Sequence, residues 1–388
     1  MIAIIGGGIV GLTLANILQK HHFPVCVIES APQKPVENTL TARVSALHFY
    51  SKRLLQYLQC WDDIPENLRT PVNAMHVWDH AHHTIDFDND GDPMAWIVNN
   101  HAIVEALRKN YHGELICPDA PMQFSDNTLT LQSGKKISAA LVVGADGANS
   151  WVRKQMPITV TTRAYHQKSI IAVIESNKPH LQRAYQRFLK TGPVALLPLS
   201  HPHYTALVWS AENAVSDTMM QKADADFSEA LTKALEYRLG KLRCISKRSQ
   251  FTLTMRHAKE YADDRFVLVG DAAHTLHPLA GLGVNLGLMD AACLVDVFME
   301  AQNQHKLLWD PATLRRYTRW RKAGNTDILL AMRGLQNIFA LDSRSMNAVR
   351  GLGLTAIDRC DFIKKYLVRC ALGNEKDLPT FLHRTCYA

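Results

Sequence analysis

Residues 265–290 have the sequence Arg265-Phe-Val-Leu-Val-Gly270-Asp-Ala-Ala-His274-Thr-Leu-His-Pro278-Leu-Ala-Gly281-Leu-Gly-Val-Asn285-Leu-Gly-Leu-Met-Asp290. The apolar run from Phe266 to Val269 ends at Gly270 and Asp271, which predicts a short buried strand followed by a turn. Gly281 and Gly283 interrupt the chain before apolar residues return at helical spacing. The stretch therefore predicts an acidic residue at the carboxyl end of a strand and glycine-flanked amides at the start of a helix.

These two features suit a ligand that carries both hydroxyl groups and negative charge. A carboxylate accepts hydrogen bonds from ribose or ribityl hydroxyls, while free backbone N–H groups at a helix start attract negative charge. A flavin nucleotide carries both kinds of group.

A second nucleotide-binding signal stands at the start of the chain. Ile2 to Ile5 and Val25 to Ile28 are apolar runs that predict buried strands, and between them lies a Gly-x-Gly-x-x-Gly motif followed by a predicted helix. We expect the first glycine to permit a tight turn, the second to let a pyrophosphate approach the backbone, and the third to let helix and strand pack closely. Glu29, after the second strand, is expected to accept from ribose hydroxyls. The pattern predicts binding of an ADP moiety.

A third motif occurs in residues 140–153, Ala-Leu-Val-Val-Gly-Ala-Asp146-Gly-Ala-Asn-Ser-Trp-Val-Arg153. An apolar strand, an Asp-Gly turn and a Ser-x-x-Arg helix start follow one another. Asp-Gly pairs are common in turns, so a plain structural turn is the competing interpretation.

Taken in their order along the chain, at residues 6–11, 140–153 and 265–290, the three motifs resemble the FAD fingerprints of class A flavoprotein monooxygenases, the p-hydroxybenzoate hydroxylase-like group. Within that group the chain is most similar to the FAD-dependent ubiquinone-biosynthesis hydroxylase family. The similarity extends to the Arg43-x-x-Ala-Leu47 segment, to Asn100 in a segment that resembles the family's crossover helix, and to the C-terminal region. The family usually has Gln where this chain has Leu282, which we expect to change side-chain contacts of the loop without abolishing flavin binding.

The resemblance implies a set of site residues. Pro278, expected to shape the flavin face, and His274 are the candidate catalytic positions. Arg43 is expected to lie along the FAD, and the amides from Gly281 to Asn285 to contact the flavin ring. The full set of expected cofactor-binding residues is Gly6, Gly8, Gly11, Glu29, Arg43, Asn100, Asp146, Gly147, Gly270, Asp271, Gly281, Leu282, Gly283, Val284 and Asn285.

The resemblance also implies an activity. FAD is expected to bind noncovalently, NAD(P)H to reduce it in a transient encounter, and a C4a-hydroperoxyflavin to hydroxylate an aromatic ring of a polyprenylated phenol in ubiquinone biosynthesis. Two alternatives stay open: an FAD-dependent reductase or epoxidase of an isoprenoid, and a noncatalytic FAD-binding assembly subunit.

The expected fold is α/β. A Rossmann-like FAD/NAD(P)-binding domain is expected in residues 1–70, 96–155 and 261–312, and a C-terminal helical region in 313–388. Residues 71–95 and 156–260 contain alternating, β-rich runs that predict an inserted substrate domain with a mixed or antiparallel sheet. In this domain Phe188, Leu197, Leu199 and Trp209 are expected to line an apolar pocket or to belong to the core.

The 388 residues are 47% hydrophobic and 20% charged, as in ordinary globular proteins, and no apolar run is long enough for a membrane-spanning helix. The first strand begins at Ile2, which leaves no room for a signal peptide, so we expect a cytoplasmic protein. Eight cysteines lack metal-finger spacing. The histidine clusters near residues 80, 201 and 274 lack an acidic or cysteine partner at ligand spacing, so no metal site is predicted and we expect loop or surface positions.

Positive charge is concentrated at the C-terminal end. Residues 313–388 contain 14 Lys and Arg against 6 Asp and Glu, which leaves the rest of the chain nearly neutral. Apolar residues separate these cations at helical spacing. The pattern fits a solvated helix face or a surface that meets anionic lipid or a multienzyme complex. Without a nucleic-acid-binding motif, nucleic acid is not an expected partner.

Overall fold

The computed structural model describes residues 1–32, 41–79, 84–89, 91–275, 282–324 and 378–383. In chain order the helices are α1 (Ile9–Lys20), α2 (Phe49–Tyr57), α3 (Asn100–Asn110), α4 (Trp151–Gln155), α5 (Asn213–Gln221), α6 (Asp224–Ala234) and α7 (Leu282–Asn303), followed by a helix at 311–324 and a short one at Thr380–His383. The strands are β1 (Ile2–Ile5), β2 (Val25–Ile28), β3 (Val44–His48), β4 (Arg69–Val72), β5 (Ala74–Asp79), β6 (Thr84–Asp88), β7 (Ala95–Asn99), β8 (Glu114–Ile116), β9 (Pro121–Ser125), β10 (Thr128–Leu131), β11 (Lys136–Ser138), β12 (Leu141–Gly144), β13 (Val160–Ser176), β14 (Arg183–Leu189), β15 (Gly192–Pro198), β16 (Tyr204–Glu212), β17 (Leu242–Cys244), β18 (Ser249–Ala258), β19 (Ala262–Asp263), β20 (Phe266–Leu268) and β21 (His274–Thr275).

A six-stranded sheet in the order β19-β20-β12-β1-β2-β8 forms the nucleotide-binding half. All neighbours are parallel except β19 and β20. β1, β2 and β12 are buried along their whole length, as expected for parallel strands covered on both faces. This sheet confirms the predicted α/β fold with a Rossmann-like domain.

A nine-stranded sheet forms the second half, with β21-β18-β13-β16-β15-β14-β5-β6 in order and β17 beside β13. Its pairs are antiparallel except β14 with β5, so the predicted mixed sheet is confirmed. One face packs Trp209 with the buried residues Phe227 and Leu231 of α6. Trp209 therefore belongs to the core.

The opposite face of this sheet meets a small antiparallel sheet, β3-β7-β4. Leu197 and Leu199 pack there in an apolar cluster with Val72, Ile97 and Ala184, while Phe188 is half-buried. The alternation of side chains along β15 sends Leu197 and Leu196 to different faces of the sheet, since successive residues of a strand point in opposite directions. This apolar face is the one that packs against the β3-β7-β4 sheet.

Two boundaries are visible in the structure. In the segment with Asn100 that resembles the family's crossover helix, the helix begins at Asn100, because Asn99 Oδ1 caps it by accepting from the N–H groups of His101 and Ala102 at 2.8 and 3.2 Å. β4 crosses residue 71, the expected start of the substrate segment, and pairs with β7. The division of the chain into domains at the boundaries given above stays a prediction.

The described part of the C-terminal region packs on the nucleotide-binding half. Leu314 and Tyr317 of the 311–324 helix are buried, and the Tyr317 hydroxyl donates to Leu268 O at 2.9 Å. Phe381 lies 5.1 Å from the Tyr57 ring, measured between ring centroids. Residues 325–377, which carry much of the predicted basic surface, lie outside the described residues. Of the helices described, none combines the length and apolar character needed to cross a membrane.

Candidate active site

The three sequence motifs meet at one edge of the six-stranded sheet. The sheet register pairs Ile5 with Gly144 and Gly144 with Leu268, so β1, β12 and β20 end side by side. Carboxyl ends of parallel strands are where open α/β sheets bind their ligands. Motifs that are more than one hundred residues apart in the chain therefore surround one site.

The glycine loop after β1 is shaped by close contacts. Gly6 has φ = 109°, and a Cβ there would lie 2.4 Å from Ala145 O. A Cβ on Gly11 would lie 1.9 Å from Gly6 O, so only glycine lets α1 approach the strand. At Gly8 a Cβ would meet nothing within 4 Å. Gly6 and Gly11 thus serve packing, while Gly8 borders open space.

Glu29 lies beside this loop at the end of β2. Its Oε2 accepts from the Gly7 N–H at 2.6 Å and its Oε1 from the Ala31 N–H at 2.7 Å. Both carboxylate oxygens retain lone pairs that can accept further hydrogen bonds. Its predicted contact with ribose hydroxyls stays a prediction.

The Asp-Gly motif forms a capped turn after β12. Asp146 Oδ2 accepts from the N–H groups of Trp151 and Val152 at 2.6 and 3.2 Å, and Ser150 Oγ accepts from the Arg153 N–H at 3.0 Å. Asp146 Oδ1 is buried without a hydrogen-bond partner in the described part of the chain. Gly147 has φ = 77° and open space where a Cβ would stand.

Arg153 joins the Asp-Gly motif to the Gly-Asp loop. Its Nη1 donates to Ala272 O at 2.7 Å and its Nη2 to Ala148 O at 2.6 Å. Burial lowers the pKa of this guanidinium, and nearby Arg256 lowers it further while Asp146 raises it. The sequence marked Arg153 only as the end of a motif, whereas the structure makes it a link between two motifs.

Asp271 lies on the loop after β20, where Gly270 has φ = 59° and residues Gly270–Ala272 form a 3-10 turn. Its side chain is exposed to solvent, while nearby protein atoms desolvate the carboxyl group in part. This partial desolvation raises the pKa of Asp271, the charge of His274 opposes the shift, and Asp290 adds to it. A carboxyl group in this setting suits the predicted role of an acceptor for ligand hydroxyls.

His274 is buried rather than on a loop surface as the sequence suggested, with 0% of its side chain exposed. Its Nε2 lies 2.6 Å from Asp290 Oδ2, and Arg321 Nε donates to Asp290 Oδ1 at 2.7 Å. The carboxylate comes from α7, sixteen residues along the chain, so no ligand spacing on one element could reveal it. A direct catalytic role of His274 stays a prediction.

The start of α7 carries the remaining expected contacts. A Cβ on Gly283 would meet nothing within 4 Å, and Val284 packs against the core. The Asn285 side chain is 2% exposed and engaged with β3: its Nδ2 donates to Ala46 O at 2.7 Å. Its predicted contact with the flavin stays a prediction. Leu282 begins the helix, whereas Pro278 and Gly281 lie outside the described residues.

Arg43 and Asn100 are neighbours near this site. The Arg43 side chain is exposed, and its carbonyl accepts from the Asn100 N–H at 3.1 Å. Asn100 Oδ1 accepts from the Ser45 hydroxyl at 2.6 Å. Asn100 thus holds β3 to the start of α3, and the expected contacts of both residues with FAD stay predictions.

Several observations fit a dinucleotide such as FAD. Gly8, Gly147 and Gly283, one from each motif, border open space. The N-cap of α1 is Gly8, which makes no side-chain cap, so the first amides of that helix remain available to a pyrophosphate. Among the described residues, the buried Asp146 Oδ1 has no hydrogen-bond donor, so it can accept from a hydroxyl or N–H group of a ligand. In the described residues no group of three or more His, Cys, Asp or Glu side chains is arranged to hold a metal ion.

Comparisons with known proteins agree with this geometry. Residues 123–328 match the family described as FAD binding domain, and residues 4–34 match the NAD(P)-binding Rossmann-like domain. The chain is 33% identical to 3-demethoxyubiquinol 3-hydroxylase from Escherichia coli (strain K12), over 96% of this chain and 98% of that protein. It is 31% identical to ubiquinone hydroxylase UbiL from Rhodospirillum rubrum, over 97% of this chain and 90% of that protein.

Solved structures share the fold. p-Nitrophenol 4-monooxygenase PnpA from Pseudomonas putida superposes with a TM-score of 0.76 at 18% identity, covering 96% of this chain and 98% of that chain. The Diels-Alderase PyrE3 superposes with a TM-score of 0.73 at 23% identity, covering 97% of this chain and 81% of that chain. At these identities the likeness concerns the fold alone.

Proposed function

The chain belongs to the family of FAD-dependent ubiquinone-biosynthesis hydroxylases, and from this we propose that it hydroxylates an aromatic ring of a polyprenylated phenol in ubiquinone biosynthesis. The observation that carries the proposal is the convergence of the three motifs at the ends of β1, β12 and β20. In the overall reaction, one ring C–H bond becomes C–OH with one atom of O2. The other oxygen atom leaves as water, with two electrons from NAD(P)H and one proton from solvent.

FAD, when bound, passes the two electrons from NAD(P)H to dioxygen and delivers an electrophilic oxygen atom to the ring. The protein supplies binding and orientation. Amides at the start of α1 hold the pyrophosphate, Glu29 accepts from the ribose, and Asp271 accepts from the ribityl chain. Backbone amides at the start of α7, up to Asn285, stabilise negative charge on the flavin ring. The contacts that the family resemblance implies for Pro278 and Gly281 lie outside the described residues.

A hydrophobic substrate suits the apolar face between the nine-stranded sheet and the β3-β7-β4 sheet. On this side Ala184 and Leu197 belong to the large sheet and Leu199 directly follows β15. Ala46 and Ala95 belong to the small sheet. Asn285 and Asn100 both bond to β3 in this small sheet, which connects the predicted flavin contacts to the apolar face. Apolar walls also exclude water from the reacting oxygen, as monooxygenation requires.

We further propose a cytoplasmic enzyme that associates peripherally with the membrane or with other enzymes of ubiquinone biosynthesis. The substrate's prenyl tail partitions into the bilayer, so the enzyme must meet it at the surface. The 311–324 helix presents Arg315 and Arg319 on its exposed side and packs its apolar side on the nucleotide-binding half. Apolar residues between cations further along, such as Leu329 and Phe339, lie outside the described residues.

The test is oxygen labelling with the purified, FAD-loaded protein. A demethoxylated or non-hydroxylated polyprenyl phenol is incubated with NADPH under ¹⁸O2, and the product is analysed by mass spectrometry. We expect one labelled oxygen per product and no product without O2. Reduction of a double bond under anaerobic conditions would favour an isoprenoid reductase. The absence of substrate-stimulated NAD(P)H oxidation, with FAD bound, would favour a noncatalytic subunit.

A deletion strain identifies the step. Quinone intermediates extracted from cells that lack the gene are expected to accumulate the phenol that this enzyme hydroxylates. Accumulation of no precursor, with normal ubiquinone content, would contradict the proposed pathway role.

A further inference from the structure

A single carboxylate oxygen of Asp290 contacts both ends of the Gly-Asp loop, residues 270–274. Its Oδ2 accepts from the Gly270 N–H at 2.9 Å and lies 2.6 Å from Nε2 of His274. The two donors stand at opposite ends of a five-residue loop that contains Asp271. One carboxylate on α7 therefore determines the distance between the ends of this loop.

A third anchor holds the middle of the loop. Arg153 Nη1 donates to Ala272 O at 2.7 Å, directly after Asp271. Gly270 adopts a left-handed conformation with φ = 59°, which directs the chain away from β20. With Gly270, Ala272 and His274 all bonded to the body of the protein, the direction of the Asp271 side chain is constrained from both sides.

The charge of Asp290 is balanced from another part of the chain. Arg321, in the 311–324 helix, is 4% exposed and donates from Nε to Asp290 Oδ1 at 2.7 Å. Burial opposes ionisation of Asp290, but His274 and Arg321 outweigh it and hold the pKa of this carboxyl at about 2. A buried carboxylate that stays ionised can accept from the loop at every physiological pH.

We propose that Asp290 and Arg321 are positioning residues for the cofactor: together they hold the Gly270–His274 loop in the geometry in which Asp271 meets the ribityl hydroxyls. The 311–324 helix thereby acts on the FAD site through the loop that it holds. This inference rests on the proposed function only in taking FAD as the ligand. Both side chains are buried, with 0% of Asp290 and 4% of Arg321 exposed, so their role is positioning.

The arrangement couples two events. If docking of the 311–324 helix stabilises the loop that binds FAD, then FAD binding stabilises the docked helix by the same factor, since linkage between two sites is reciprocal. FAD should therefore slow hydrogen exchange in residues 311–324. This readout is independent of catalysis.

The experiment compares variants that retain or remove the loop anchor. Removing one member of a buried ion pair leaves an uncompensated charge and destabilises strongly, whereas removing both with apolar or neutral groups is tolerated better. We therefore use the double variant Asp290→Asn/Arg321→Met, and Arg321→Lys, which retains the cation but loses the planar Nε donor. The matched control is Arg187→Met/Glu236→Gln, which removes the 2.6 Å ion pair between β14 of the nine-stranded sheet and the segment directly after α6.

FAD affinity is measured by fluorescence titration of the apoproteins, flavin geometry by visible circular dichroism, and helix docking by hydrogen exchange with and without FAD. We expect the double variant and Arg321→Lys to bind FAD about tenfold to a hundredfold more weakly, as for loss of hydrogen bonds to a charged group. Their flavin spectra should change, and FAD should no longer protect residues 311–324 as in the wild type. The control should bind FAD normally.

The inference would be overturned if Arg321→Lys bound FAD with wild-type affinity, wild-type flavin spectrum and wild-type protection of residues 311–324. Any double variant that folds would have to give the same result. A control that loses FAD equally would also overturn it, because the effect would then be general destabilisation. Failure of the wild type to bind FAD or to hydroxylate concerns the proposed function instead, so the two failures are distinguishable.

Discussion

Asn285 holds the edge of β3 as a neighbouring strand would: its Oδ1 accepts from the His48 N–H at 3.0 Å. The other end of the same amide donates from Nδ2 to Ala46 O at 2.7 Å. His48 and Asn285 are 237 positions apart in the chain. Through this pairing the first turns of α7, where flavin contacts are expected, are joined to the small sheet beside the apolar face.

Replacing Asn285 by Ala should destabilise the protein by about 2–4 kcal/mol, because the buried His48 N–H and the half-buried Ala46 carbonyl of β3 both lose their partner. Urea unfolding gives this difference, and visible circular dichroism of bound FAD should change as well. Asn16→Ala is the control: Asn16 Nδ2 bonds to the carbonyls of Leu12 and Leu107, so stability should fall without a change in the flavin spectrum. An unaltered spectrum in Asn285→Ala would contradict the connection.

The purified protein should be yellow with noncovalent FAD, and Glu29→Ala and Asp271→Ala should each weaken its retention. Each change leaves ligand hydroxyls without a charged acceptor, a loss of about 1.5–3 kcal/mol. Titration of the apoproteins with FAD measures the loss. Glu175→Ala, which removes a surface ion pair with Arg243, should bind FAD normally. If the Glu29→Ala/Asp271→Ala double variant still holds one FAD per chain after dilution, the predicted FAD contacts of both residues are wrong.

NADPH should be the preferred reductant, an expectation that comes from the family resemblance. Glu29 is assigned to the ribose of FAD and so does not discriminate between the two nicotinamide cofactors. Steady-state kcat/KM for NADH and NADPH, measured with saturating phenol, decides the point. A higher value for NADH would reverse the expectation.

Stability should fall between pH 6.5 and pH 4 because of His48. Burial lowers the pKa of this side chain to about 4, while its Nδ1 accepts from the Ser51 N–H at the start of α2. The unfolded chain therefore binds a proton in this range that the folded protein does not, and the folded state loses about 2 kcal/mol between pH 7.5 and pH 5. Asp290, with a depressed pKa, loses its contribution only below about pH 4, outside this window.

His48→Asn keeps a side chain that can cap α2 and removes the titrating group. Its urea-unfolding free energy should depend less on pH than that of the wild type by the amount just given. An equal pH dependence in both proteins would assign the effect to other histidines. His180 and His257 also have pKa values lowered by burial, so the comparison must be made between the two proteins at each pH.

Liposome binding should depend on the exposed cations of the C-terminal region. Each Lys or Arg near an anionic leaflet contributes about 1 kcal/mol, so a few engaged cations give reversible, salt-sensitive binding. Arg315→Glu/Arg319→Glu should reduce co-sedimentation with anionic vesicles at low salt. Lys241→Glu/Lys247→Glu makes the same charge change at exposed positions of the nine-stranded half and should not. If the protein does not bind anionic vesicles, or binds them equally at low and high salt, electrostatic docking to the membrane is contradicted.

Local patterns were sufficient to predict the strand-turn-helix units and the motifs that they carry. Gly6 and Gly11 stand at spacings determined by the geometry of one turn, so the tight turn and the close approach of helix to strand could be inferred from neighbouring residues alone. The bond of Glu29 to the Gly7 N–H was not predicted. The mixed sheet followed from alternating apolar residues. The segment that resembles the family's crossover helix gave no exact helix start, because the side-chain cap of Asn99 decides where α3 begins.

The sequence by itself determined the α/β class, the three motifs and the cofactor they suit, because each depends on residues close together in the chain. Only the tertiary structure decided that His274 is buried, that Asn285 binds β3, and that Asp290 joins the Gly-Asp loop to Arg321. These contacts link elements brought together by packing of the whole core, over separations from sixteen to 239 residues. A spacing pattern encodes one element at a time, so it cannot specify which side chains meet between elements.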